Sequence, residues 1–382
     1  MHWKKQLFNK FLRSFSRKSC KKYYDGVYGD ICRDLGVDKN AHVDGEEDWV
    51  KRWSDMKIVP NPMYYRLFSR YCGKSVRIVP EDICRMVIEP VLNPERFRRA
   101  WDDKNLWDML FPKGIFPLTT LRCMDGMFYT ADYQRLVGFD NKKLYDLLTL
   151  SGEGKFFIKP TRDSCSSRGT SSINCENGKW YLGKERCKEV SIEYLIELSG
   201  PNFIIQPFLK QHSEIAKFCP TSVNPIRLIT YRSVKDDEVH VLKGAMLRIG
   251  AAGEENDGAH GNGMFVGINN DGSLKHEAAD YLGHVKTVFN DIDFSKDYII
   301  PGYDKAKSAA EEIAKKVLHH RLLAFDVMIG EDGNPIIFEF NIDGFSMWLS
   351  QFIGEPAFDD FDEEIIEYCR KKIDDTELVS IY

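Results

Sequence analysis

The 382-residue chain is marked first by what it lacks. Its ten cysteines are Cys20, Cys32, Cys72, Cys84, Cys123, Cys165, Cys175, Cys187, Cys219 and Cys369, and no two form a C-x-x-C pair. That removes the usual zinc-site signature, and the density is too low for a disulfide scaffold. No run approaches the ~18 apolar residues of a membrane-spanning helix. The first residues lack the unbroken apolar core of a secretory signal, so a reducing, cytoplasmic setting is expected. No G-x-G-x-x-G follows a strand-like run and no G-x-x-x-x-G-K-S/T is present, which excludes the dinucleotide and P-loop fingerprints. Net charge is only −5, so nothing draws the whole chain to nucleic acid.

Acidic residues are also missing from one place. Residues 1–24 carry eight Lys/Arg and no Asp or Glu. Trp3, Leu7, Phe8, Phe11, Leu12 and Phe15 recur there at helical spacing between the basic residues. Such a basic amphipathic leader suits contact with an anionic membrane, at the inner face of the membrane for a cytoplasmic protein. Packing of the stripe on the chain's own body is the other expectation.

Composition divides the rest. Residues 25–100 are rich in Trp, Tyr and Arg. They read as mainly helical, with turns at Pro60–Pro62, Pro80 and Pro90–Pro94. From residue 101 helical stretches alternate with short β-rich runs: Phe156–Lys159, Phe203–Gln206, Arg227–Tyr231, Val239–Leu242, Leu322–Ile329 and Ile336–Phe340. Glu331-Asp332-Gly333-Asn334 reads as a hairpin turn between the last two. Locally paired strands with inserted helices indicate an α+β fold. The expected divisions are 1–24, 25–100, 101–200 and 201–382.

Several residues have the chemistry to hold a polyanion. Glu339 and Asn341 alternate onto one strand face, and Asp326 lies across the hairpin. Three hard oxygen donors there suit magnesium, although a solvated hairpin face would give the same pattern. Lys159 leaves an apolar strand and can meet a phosphate as a point charge. Thr161 to Thr170 form a loop of small hydroxyl residues with Arg168 and Gly169, whose N–H groups could cradle oxygens or simply make a polar turn. Cys165 reads as an incidental thiol in that loop. Lys104 opens a helical segment. Arg227 and Arg248 sit on strand-like segments, where an arginine can clamp a phosphate or carboxylate bidentately or form an ordinary salt bridge. A polar loop, Asn256 to Gly263, follows.

Taken in order, "DK", "FFIKP", "SSRG", "NFIIQPFL", "IRLIT…AMLRIG…ND…GNG" and "FDVMIGEDGNPIIFEFN" resemble the ATP-grasp superfamily, and within it the sugar-transfer-associated branch found with bacterial surface-polysaccharide and capsule biosynthesis. The pattern runs over roughly residues 101 to 355. The resemblance implies two α/β lobes clamping ATP, here preceded by a mainly helical region where other members carry a parallel α/β domain. It implies that Lys104 and Lys159 hold phosphates, and that Ser166, Ser167, Arg168 and Gly169 belong to a loop closing over them. Gln206, Pro207, Phe208 and Leu209 match the adenine hinge, with Gln where Glu is common. His212 and Glu214 match ribose contacts. Arg227 and Arg248 match the arginines at the transferred phosphate and substrate carboxylate. Asn256 and Asp257 match a polar pair beside the substrate, in reversed order. Asp326, Glu339 and Asn341 match the Mg2+ ligands. The implied activity is an ADP-forming carboxylate–amine ligase working through an acyl phosphate on a sugar acid, amino acid or other glycan precursor. A kinase on the same fold and a non-catalytic scaffold are the alternatives.

Overall fold

The computed structural model describes residues 2–56, 58–162, 168–183, 188–254 and 262–374, with side chains from residue 14 onward. Two antiparallel sheets organise the chain from residue 121. The first takes β1 (Leu121–Met124), β2 (Met127–Tyr129), β3 (Lys155–Pro160), β4 (Ser171–Glu176), β5 (Lys179–Leu182), β6 (Lys188–Glu189) and β7 (Phe203–Pro207), in the order β2-β1-β7-β3-β4-β5-β6. Phe156, Ile158, Phe203 and Ile205 point to one face, where Leu144, Leu148 and Leu195 of two helices, Asn141–Leu150 and Ile192–Ser199, cover them. The alternate positions of β3 and β7, Phe157, Lys159, Ile204 and Gln206, therefore share the other face.

The second sheet is built from β8 (Ile226–Arg232), β9 (Val239–Val241), β10 (Met246–Ile249), β11 (Met264–Ile268), β12 (Leu274–Ala279), β13 (Val285–Lys286), β16 (Leu322–Ile329) and β17 (Pro335–Asn341). Its main path runs β13-β12-β11-β10-β8-β16-β17, and β9 pairs with β8. A small ribbon joins β14 (Val288–Phe289) to β15 (Ile292–Asp293). Strand β16, Leu-Leu-Ala-Phe-Asp-Val-Met-Ile, is buried throughout. It reads as one apolar run because both its faces are covered. Leu323, Phe325 and Val327 meet Ala306, Ala310 and Ile313 of helix Tyr303–Lys316. Leu322 and Ala324 face the other way, into a cluster shared with the first hundred residues.

That first region is helical, as expected: α1 (His2–Asp34), α2 (Glu46–Ser54), α3 (Pro62–Cys72) and a helical stretch over 81–92 with a π-turn at Cys84–Ile88. Trp49, Trp53, Tyr64, Tyr65 and Phe68 are fully buried there and join Ile229, Tyr231 and Phe265 of the sheet with Phe352, Phe358 and Ile365 from the end of the chain. Polar ties cross the same contact. Gln351 accepts from the Val79 N–H at 2.7 Å and donates to its carbonyl at 3.1 Å. Asn93 donates to the Leu322 and Ile342 carbonyls and accepts from the Arg321 and Leu322 N–H groups, which clamps β16 to the segment after β17.

Helix α1 runs unbroken across residue 24 and buries Cys20 and Tyr28 together, and β7, which follows residue 200, lies between β1 and β3 in the first sheet. Among the described residues, no helix is long and apolar enough to cross a membrane.

Candidate active site

One buried row of charge lies at the end of the second sheet. Arg227 on β8, Asp326 on β16 and Glu339 on β17 stand directly opposite one another in register. They share the sheet face that carries Ile229, Tyr231 and Ala324 into the cluster with the helical region. The helical region fills that face further along, and the charges occupy its end. Arg227 grips Asp326 with both prongs of its guanidinium, Nε to Oδ1 at 2.8 Å and Nη2 to Oδ2 at 3.1 Å. Arg248 on β10 reaches the same carboxylate at 3.4 Å. All three are buried or nearly so. An acid inside an apolar strand is costly unless paired, and these arginines pair it.

A β-bulge sets the rest. The register shifts between Asp326 and Val327, so Phe338 is the extra residue on β17. The shift brings Glu339 opposite Asp326, and the freed Phe338 carbonyl accepts from Lys159 Nζ at 2.9 Å. Lys159 belongs to the first sheet, so this bond joins the two sheets across the cleft. Lys104 meets Glu339 at 3.1 Å. Its own position is fixed locally. Asp103 caps the turn by accepting from the Asn105 N–H, and the Lys104 N–H donates to the Thr161 carbonyl at the end of β3. Trp107, 5.5 Å beneath the Lys104 ammonium, stacks on Phe340 of β17 at 4.5 Å.

Among the described residues, four basic groups thus converge on two carboxylates in a largely buried site. Burial pushes the Lys159 ammonium down to about 7, Lys104 adds repulsion, and Glu339 only partly opposes them. Burial works to raise the Glu339 carboxyl, but Lys104 and Lys159 hold it below its ordinary value. Glu339 keeps 28% of its side-chain surface, against 7% for Lys104, so the cluster can be reached from solvent at the carboxylate.

The loop expected to close over phosphates is anchored at both ends beside these lysines. Arg162 pairs with Asp103 through Nε at 3.0 Å and Nη2 at 2.9 Å. At the far end Gly169 has φ of 72° and approaches Pro160 so closely that a Cβ would lie 2.8 Å from its Cγ. Only glycine fits there without strain. Arg168 is exposed. Ser166 and Ser167 lie outside the described residues, as do Asn256 and Asp257.

The hinge residues follow β7. The Gln206 amide nitrogen donates to the Pro117 carbonyl at 3.2 Å and the Thr119 hydroxyl at 3.4 Å, which leaves its oxygen for a ligand amino group. The Phe208 N–H donates to the Lys155 carbonyl at 3.0 Å. The same bond makes Phe156 and Pro207 the non-bonded pair of the ladder, so the Pro207 carbonyl points away from β3. The structure does not gather His212 and Glu214 with the cluster. His212 Nδ1 accepts from the Glu214 N–H and caps a short turn, and Glu214 closes on Lys217 at 2.6 Å at the surface. Asp103, Arg162 and Trp107 carry supporting roles not read from the sequence. The one cue was the Asp before Lys104, a preferred cap type at a helical start.

A protein-family model described as sugar-transfer associated ATP-grasp matches residues 89–361. The chain belongs to this family. The ATP-grasp fold is an α+β fold here, with a helical region before it. The family match starts at residue 89 and so takes in the Asn93 clamp as well as both lysines. No curated protein matches the chain significantly. Solved structures resemble it distantly. A D-cycloserine synthetase is 13% identical with a TM-score of 0.38, covering 92% of this chain and 95% of that one. The D-alanine-D-alanine ligase from Coxiella burnetii is 12% identical with a TM-score of 0.38, covering 71% and 58%. The ADP complex of an N5-carboxyaminoimidazole ribonucleotide synthetase is 14% identical with a TM-score of 0.32, covering 59% and 41%. The chain thus spans about half the length of the last two.

Magnesium fits this ATP-grasp site on its donor set. Asp326 and Glu339 are opposed carboxylates, and Asn341 shares their face two residues on. Among the described residues no group of three or more His, Cys, Asp or Glu could hold a metal. Two carboxylates with an amide suit an ion that takes its remaining oxygens from phosphates and water.

Proposed function

We propose that this ATP-grasp protein is an ADP-forming ligase that activates a carboxylate as an acyl phosphate and passes it to an amine. The observation that supports the reading is the convergence of Lys104, Lys159, Arg227 and Arg248 around Asp326, Glu339 and the Phe338 carbonyl. Such a site is stabilised by a ligand bringing several negative charges, and ATP is one. Lys159 and Lys104 would hold the phosphates, and an ATP polyanion would raise the Lys159 ammonium back to full charge. Asp326, Glu339 and Asn341 would hold magnesium, which supplies neutralisation of phosphate charge when bound.

In the proposed reaction the substrate carboxylate oxygen attacks the γ-phosphorus. The bond to the bridging oxygen breaks, and ADP leaves with that electron pair. The amine nitrogen then attacks the acyl carbon, phosphate departs, and the ammonium formed loses its proton to phosphate or solvent. Catalysis is positioning and charge stabilisation, so no protein nucleophile is required. Arg227 and Arg248 would orient the carboxylate and the migrating phosphoryl group. The 161–170 loop would keep water from the acyl phosphate. The family's description as sugar-transfer associated supports a sugar acid or amino acid bound for a surface glycan as the carboxylate.

Hydroxylamine tests the reading. It captures an acyl phosphate as a hydroxamate and leaves a phosphate ester intact. With ATP, magnesium and pools of sugar acids and amino acids, the parent should form ADP and hydroxamate together. Arg227→Lys should form it more slowly by on the order of a hundredfold, because an ammonium cannot copy the two-pronged contact. ADP with a stable phosphorylated product and no hydroxamate would replace the ligase by a kinase.

A further inference from the structure

Helix α1 carries apolar residues on two different sides. From Ser16 onward its buried positions are Ser16, Cys20, Tyr28, Ile31 and Cys32, which pack on the body of the protein. Arg17 donates to the Ile373 carbonyl and Lys21 pairs with Asp82 from the same half, so this part is firmly held. Before Ser16 the apolar positions are Trp3, Leu7, Phe8, Phe11, Leu12 and Phe15. At 3.6 residues per turn, the centre of this second set lies roughly opposite the centre of the first, about half a turn around the axis. Phe15 reports the outcome within the described side chains: it is 62% exposed, while its neighbour Ser16 is buried. Helical spacing puts positions 8, 11 and 12 on the same side of the helix as Phe15. From Ser16 onward the body covers one side of α1, and these positions fall roughly on the other.

Charge identifies what would cover that side. The first 24 residues hold eight Lys/Arg and no acid, whereas the remaining 358 hold 45 Lys/Arg and 58 Asp/Glu. Lys18 and Lys22, both exposed, continue the aromatic side along the helix, and Lys4 falls among the aromatic positions. Apolar rings and ammonium groups on one side need a surface offering acyl chains and anionic oxygens a few ångströms apart. A lipid interface does so, with lysine stems reaching up to the headgroups. We infer that the first half of α1 is a docking element for an anionic membrane surface. It lies in the plane of the interface while the second half fixes the catalytic body to it.

Vesicle co-sedimentation of the full chain tests this. Phosphatidylglycerol–phosphatidylcholine vesicles should pull the protein down, pure phosphatidylcholine should not, and added salt should release it. A Phe8→Ser, Phe11→Ser, Phe15→Ser variant should lose more than about tenfold in partitioning with an unchanged melting curve. A second variant with Lys4, Lys18 and Lys22 changed to Gln should lose the preference for anionic lipid even if the first folds poorly. No binding of the parent to anionic vesicles at low salt would overturn the inference. So would binding that survives both sets of changes, or self-association without lipid that the phenylalanine changes abolish, which would make this side a protein interface.

Discussion

Lys159→Met is expected to weaken ATP binding by on the order of a hundredfold while leaving the free protein as stable as the parent, or more stable by up to about 3 kcal/mol. The two effects share one cause. Burial and Lys104 hold the Lys159 ammonium near a pKa of about 7, against an ordinary 10.5. Between those values the unfolded chain binds the extra proton and the folded chain does not. Stability contributed at this position therefore rises as pH climbs from 7 towards 10.5, and the full cost of the buried ammonium is present below 7. Methionine fills the same volume without a charge and removes both the cost and its pH dependence. Thermal melting of parent and variant across pH 6 to 10, with and without ATP, checks it. A variant that melts well below the parent without nucleotide, yet binds ATP equally, would contradict the role given to Lys159.

Asp326→Asn should have the opposite balance. Removing this charge leaves Arg227 and Arg248 facing a neutral amide in a buried setting. Breaking a buried pair from one side costs about 3–5 kcal/mol, and the retained amide oxygen favours the low end. Two further signs separate a site role from a merely structural one. Inorganic triphosphate should raise the melting temperature of Asp326→Asn more than that of the parent, because the Asp326 charge no longer offsets the two arginines. ATP affinity of the variant should also lose its dependence on magnesium, since one of two carboxylate donors is gone. Unchanged stability together with unchanged magnesium dependence would reject this account of Asp326.

Much of this site was legible because its residues break local patterns. Asp326 interrupts an apolar strand, and Lys159 leaves one just before a proline that ends the ladder. Strand β16 was read with its observed limits, and β3, β7, β8 and β17 to within a residue at each end. The hairpin turn before β17 also stood out. Arg248 was placed on a strand-like segment, which is β10, whereas β11 and β12 were not read although they form a local hairpin. The bulge at Phe338 has no local signature, since it is set by how β17 docks on β16 and Lys159. The pairing of Arg227 with Asp326 joins residues 99 apart. The two-sided character of α1 was half visible. The stripe from Trp3 to Phe15 was plain, but only the packing of Cys20 and Tyr28 shows which side the body takes.

If the lysine–arginine cluster binds the polyphosphate of ATP, titration calorimetry of the full chain with ATP and magnesium will show saturable binding, competition by inorganic triphosphate, and a roughly hundredfold loss in Lys159→Met. No binding by the parent, or equal binding by parent and variant, would contradict it.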